Sequence, residues 1–159
     1  MTTPPPSATK DLLLKGLAVL LIGSAANHFG DRLLGVKIEL WYGLHTFNGM
    51  WIVDMFVLPF FVGLLVAVMF GLGGKWLCYF PPLIVRAISY FEVSHSASLP
   101  DGSSILPMGW WGFFVILVIE AAAFGGIMGE IMMKGTYGRS PRHKIYKERP
   151  SRNDSDQEA

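Results

Sequence analysis

MGWWGFFVILVIEAAAFGGIMGEIMM, residues 108–133, is the stretch that decides the fold. A helix crosses the hydrocarbon core of a bilayer with roughly 20 consecutive apolar residues, and this run exceeds that. It reads as a transmembrane helix with two unusual faces. Ala121, Gly125 and Gly129 recur at every fourth position, which lines them up as a stripe on which a second helix can approach closely. Glu120 lies near the middle of the run, and at 100° per residue it points about 140° away from Gly125. A carboxylate at that depth costs ~2.5–3.5 kcal/mol on insertion scales, so it is expected to face protein or water. The helix therefore asks for neighbours on two sides.

Composition fits one membrane-embedded unit. Hydrophobic residues make up 52% of the 159-residue chain, and they are gathered in long blocks rather than spread periodically. The single cysteine, Cys78, excludes an intrachain disulfide and a cysteine metal cage. Net charge is +1, but the charges are segregated: Lys134, Arg139, Arg142, Lys144, Lys147, Arg149 and Arg152 all follow the opening helix. We divide the chain into an extended, proline-rich arm over 1–10, a helical membrane domain over 11–133 and a basic, then acidic, disordered tail over 134–159. The basic half of the tail is expected to lie against anionic lipid headgroups. Nothing in the pattern points to nucleic acid.

Upstream, the first apolar block runs from Leu12 to Phe29, with Asp11 as its expected N-cap and Lys15 able to snorkel to the interface. A cleavable leader is the rival reading of this block. Residues 30–43 mix charges with Trp41 and Tyr42, as an interfacial segment would. A second block over 44–72 contains Asn48 and Asp54, and a kink is expected at Pro59. Residues 94–107 form a serine-rich polar loop.

The third block, WLCYFPPLIVRAISYFEV at 76–93, sets the topology. Tandem prolines and Arg86 argue against a span. Charge asymmetry argues for one: if the block crosses, ten basic residues (Lys10, Lys15, Lys75 and the seven of the tail) share a side with both termini, against Arg32 and Lys37 opposite. The positive-inside rule then favours four helices over three, with the C-terminus cytoplasmic. The predicted class is an all-α integral membrane protein, located in a bacterial inner membrane. Arg86 then needs a counter-charge. Glu120 and Asp54 are the carboxylates deep in other spans, and an Arg86–Glu120 pair is the expectation.

Recognisable soluble-type catalytic motifs are missing, so an enzymatic role is disfavoured. The first functional expectation is a non-catalytic subunit packed into a larger membrane complex, with other membrane subunits as partners or with copies of itself held through the small-residue stripe. The second is a small redox anchor in which His28 and His45, at one interface, hold a b-type haem or a quinone headgroup. Residues 44–59, with His45, Trp51 and Pro59, are locally similar to a His…Trp…Leu-Pro pattern of some small haem-binding membrane families; the likeness stops there and implies no wider kinship. The third is a proton- or ion-conducting oligomer using Asp54 and an inward-facing Glu120.

Overall fold

A computed structural model describes residues 6–96 and 98–136. They are mostly helical. The helices are α1 (Pro6–Leu34), α2 (Gly49–Phe70), α3 (Phe80–Ser94) and α4 (Met108–Thr136), with a two-residue strand pair, β1 (Leu40–Trp41) and β2 (Ser104–Ile105). Three helices are long and apolar enough to cross a membrane: Lys10–Leu34 within α1, α2, and Met108–Gly135 within α4. At 15 residues α3 is shorter than that, and its first turn packs at the middle of α1, Pro81 lying against Gly23, so the described residues hold three candidate spans where four were expected.

Local chemistry sets the boundaries. Helix α1 begins at Pro6, which leaves Asp11 inside the helix rather than at its cap. It stops at Gly35, whose φ of 66° places it in the left-handed region and whose N–H donates to the Asp31 carbonyl. Helix α2 opens on Asn48, whose side chain accepts the Trp51 N–H at 2.8 Å. Its first turns then widen into a π-helical turn at Val53–Val57, with Leu58 N–H bonded back to Val53. Pro59 accounts for this: a proline cannot donate to the carbonyl four residues earlier and its ring collides with that carbonyl, and a wide turn relieves both. In α3 the tandem prolines occupy the first turn, where a missing N–H breaks no helical bond. They are a helix start rather than an obstacle to one.

Helix α1 packs on α2 and α3, and α4 packs on the same two, so the four helices close into a ring. The tightest seam joins α2 and α4. A Cβ on Gly63 would land on the Ala122 carbonyl, and one on Gly125 on the Phe60 carbonyl. Gly129 faces Ala67, and Ala121 is buried. The small-residue stripe is thus filled by α2 of the same chain. It does not offer itself to a second copy.

The two ends differ. At one, β1 pairs antiparallel with β2, with Leu40 opposite Ile105, and Leu106 N–H donates to the Glu39 carbonyl at 2.9 Å. This ties the α1–α2 connection to the α3–α4 connection, so both lie at one end. Beneath them Ile38, Trp51, Met55, Leu106, Phe114 and Val118 form a core with edge-to-face contacts among Phe47, Trp51 and Phe114. The 30–43 segment is therefore partly buried: Ile38, Glu39 and Leu40 are at most 2% exposed. At the other end, Lys15 donates to the Phe70 carbonyl at 2.9 Å, capping the C-terminus of α2.

Candidate functional site

The charged centre of the molecule is Arg86. It projects from the middle of α3 into the bundle and is 1% exposed. Its Nη2 donates to Asp31 Oδ1 at 2.7 Å and to Asp54 Oδ2 at 3.0 Å; Nη1 donates to Glu39 Oε1 at 3.5 Å. Each carboxylate comes from a different element. Asp31 lies in the last turns of α1, held from Asn27 one turn earlier at 3.5 Å. Glu39 is carried by the connection just before β1, whose pairing fixes it there. Asp54 sits in the π-helical turn of α2. One guanidinium thus joins three helices and a connection, using the planar fork that distinguishes arginine from lysine.

The expected Arg86–Glu120 pair is not what forms. Arg86 has Asp54, the other carboxylate available in a span, together with two that the 30–43 reading assigned to an interface. Glu120 is exposed on α4, and no ion pair to it occurs among the described residues. Asp54 and Glu120 stand in opposite surroundings, one fully buried and one on the outer surface, so they do not make a joint relay within one chain.

Charge in the cluster does not balance. One guanidinium faces three carboxyl groups, and a low-dielectric site resists a net charge. Burial pushes the Glu39 carboxyl above the ordinary glutamate range, an effect that the Arg86 guanidinium only partly offsets. Asn27 Oδ1, Glu39 Oε2, Asp54 Oδ1 and Arg86 Nε are buried without a hydrogen-bond partner among the described residues. Most buried polar atoms are paired, so the cluster combines strong ionic contacts with spare hydrogen-bonding capacity. It can bind protons and lock the helices. Among the described residues no set of three or more His, Cys, Asp or Glu has metal-holding geometry.

The two histidines stand in different surroundings. His28 is half-buried on α1 with its ring against Phe29, and His45 is exposed in the short 3-10 turn Gly43–Thr46. The open cavities at Lys75–Lys134 and at Lys15–Phe70 lie at the opposite end and are lined by neither. A second ionic group went unread in the sequence: Glu130, buried on α4, pairs with Lys134 at 3.1 Å and with Lys75 at 3.7 Å. Its spacing from Lys134, four residues on, was the available signal.

Asp31 and Glu39 were legible only in part. Asp31 stands four residues after Asn27, the spacing of one helix face, but only if α1 runs past Phe29. Glu39 sits between two apolar residues with no pattern to turn it inward. No family model, curated protein or solved structure matches this chain.

Proposed function

We propose that this chain is a non-catalytic subunit of a larger membrane assembly, embedded as a four-helix bundle with both termini on the cytoplasmic side. The observation that carries the reading is Glu120: a carboxylate near the middle of the longest apolar helix, exposed on the outside of the bundle. The other charges within the helices have partners in the chain or lie near helix ends. Arg86, Asp31 and Asp54 answer one another; Glu130 has two lysines; Lys15 caps α2. Leaving Glu120 in lipid costs ~2.5–3.5 kcal/mol, and a neighbouring subunit removes that penalty.

Three further features support the reading. The small-residue seam is consumed inside the chain, so association uses a different surface. Large apolar side chains such as Phe61, Phe91, Phe113, Ile116 and Phe124 are exposed along the helices, as a lipid- and protein-facing surface requires. The end that carries Lys10, Lys15, Lys75 and Lys134 is the basic one, which by the positive-inside rule faces the cytoplasm.

The test is extraction of the tagged chain from its native membrane with a gentle detergent or a lipid-retaining polymer, followed by mass determination of the intact particle. A particle heavier than one chain, containing a stoichiometric second membrane protein, is the expected result. A lone chain under several mild conditions overturns the reading.

A further inference from the structure

We infer that the Glu120 face of α4 docks a transmembrane helix of a different protein, and that this helix carries a lysine or arginine at mid-membrane depth. The inference rests on the subunit reading above and names the surface and the chemistry of the partner.

The face is defined by the helix itself. Phe113, Ile116, Phe124, Ile127 and Ile131 are all within about 40° of Glu120 around α4, at 100° per residue, and each is between 46% and 66% exposed. They form one apolar stripe with a single acid in it. Glu120 is 10 residues from Trp110 and 14 from Lys134, about 15 Å and 21 Å at 1.5 Å per residue. Both of those are interface-type residues, so the carboxylate is far from headgroups at either end and cannot snorkel with its short stem. The opposite side of α4 is occupied by α2 through Gly125 and Gly129, which fixes the rotation of the helix and prevents Glu120 from turning inward.

Charge complementarity then selects the occupant. A stripe that is apolar except for one acid is matched by a helix that is apolar except for one base, and charged residues in spans characteristically pair with one another. A second copy of this chain does not qualify. Among the described residues Arg86 is buried and holds three carboxylates, Lys15 is bonded at the end of α2, Lys75 and Lys134 engage Glu130 at the cytoplasmic-type end, and Lys10, Arg32 and Lys37 lie at or beyond the ends of α1 rather than at mid-helix depth. Two copies meeting symmetrically through this face would set acid against acid. The cation therefore comes from another protein.

The experiment uses the full chain expressed in its native membrane. A photo-crosslinking residue is placed at Ile116 or Phe124, flanking Glu120, and the cross-linked peptide is sequenced by mass spectrometry. The expected product is a peptide from a different protein with Lys or Arg inside an apolar stretch. In parallel, Glu120→Gln and Glu120→Leu are expected to lower recovery of the assembled particle by roughly 30-fold or more, the scale of losing one member of a buried charge pair. Glu120→Asp retains more than either. A hydrophobic carbodiimide, which reaches carboxyls exposed on an apolar surface, is expected to label Glu120 in the purified lone chain and spare it in the assembled particle, where the partner helix covers it.

Cross-links to a second copy overturn the inference, as do cross-linked peptides lacking a basic residue. A particle that forms normally with Glu120→Leu overturns it too, while leaving the subunit reading intact. A lone chain cross-linked only to lipid removes both.

Discussion

Arg86 and Glu120 pose the same physical problem, a charge within the apolar length of a helix bundle, and the chain treats them in opposite ways. Arg86 is drawn inward and surrounded by Asp31, Glu39 and Asp54 from three separate elements. Glu120 is turned outward among phenylalanines and isoleucines with no ion pair among the described residues. The difference teaches where the fold ends. A charge answered inside the chain holds the bundle together; under the subunit reading proposed above, one left on the surface is where the chain would associate.

The comparison breaks most visibly at Arg86. Replacing it by leucine leaves three buried carboxyl groups without a cation, and removing one member of a buried ion pair typically destabilises by about 3–5 kcal/mol. We expect Arg86→Leu to unfold or aggregate on extraction, with a large drop in melting temperature in detergent. Arg86→Lys falls between, because an ammonium cannot present the same two-nitrogen fork. Removing one carboxylate, as in Asp54→Asn, costs less than removing the single cation, since two acids remain to pair with it. A melting curve for Arg86→Leu that matched the wild type would mean the cluster does not hold the helices.

The two faces of α4 offer the next contrast. Its inner face admits nothing larger than glycine at Gly125, where any Cβ meets the Phe60 carbonyl of α2. Gly125→Leu forces the helices apart, and overpacking of this kind typically costs about 1–3 kcal/mol. The outer face is open at Phe124, and Phe124→Leu there has no such effect. Unfolding of Gly125→Leu and Phe124→Leu measured side by side in the same micelles checks this. Equal melting of Gly125→Leu and the wild type would dismiss the close seam.

A smaller effect separates the cluster by its pH response. The Glu39 carboxyl is held above its ordinary range, chiefly because burial disfavours its charge. A raised value means that the folded state binds the proton more tightly than the unfolded one. Its contribution to stability is fully present below the ordinary glutamate range and is lost as pH rises through the folded value. Wild-type stability should therefore decline on this account as pH climbs from the acid side, and Glu39→Gln, which is neutral throughout, should flatten that part of the profile. Stability profiles of the two proteins that run parallel would remove Glu39 as a contributor.

The apolar blocks are readable because a helix able to cross a membrane needs a long uninterrupted apolar run, and the opening helix is found almost to the residue: read over 108–133, it extends over Met108–Thr136. The tandem prolines of the third block cannot be placed from the sequence because a proline's effect depends on its position in a helix, and only the boundary at Phe80 shows that Pro81 and Pro82 stand in the first turn. Arg86 announces by itself that it needs an acid. Which acid it finds depends on helix rotation and on how a connection folds back. Glu120 faces outward because Gly125 and Gly129 are claimed by α2, and Glu39 faces inward because a two-residue strand pair holds it there. Neither constraint is local in sequence. Of the arm read as extended over 1–10, residues 6–10 are the start of α1, and of the tail read over 134–159, residues 134–136 are the end of α4; the remainder of both lies outside the described residues.

The least disruptive change should be at Glu120 itself. Among the described residues its carboxyl has no hydrogen bond or ion pair, so Glu120→Leu removes none of them, opens no cavity and adds apolar surface to a face already made of phenylalanine and isoleucine. Substitutions clear of caps, cores and networks usually change stability by no more than about 0.5 kcal/mol, and here the direction favours the variant, because an acid in lipid is replaced by a residue that suits it. The lone Glu120→Leu chain should therefore melt at or slightly above the wild type in the same detergent, while Arg86→Leu melts far below it. The same substitution is expected to impair assembly, so the residue would be neutral for the fold and necessary for the complex. That split cannot arise if Glu120 braces the bundle: a lone Glu120→Leu chain that unfolded as Arg86→Leu does would place the carboxyl inside the molecule's own ionic structure and erase the contrast between the two sites.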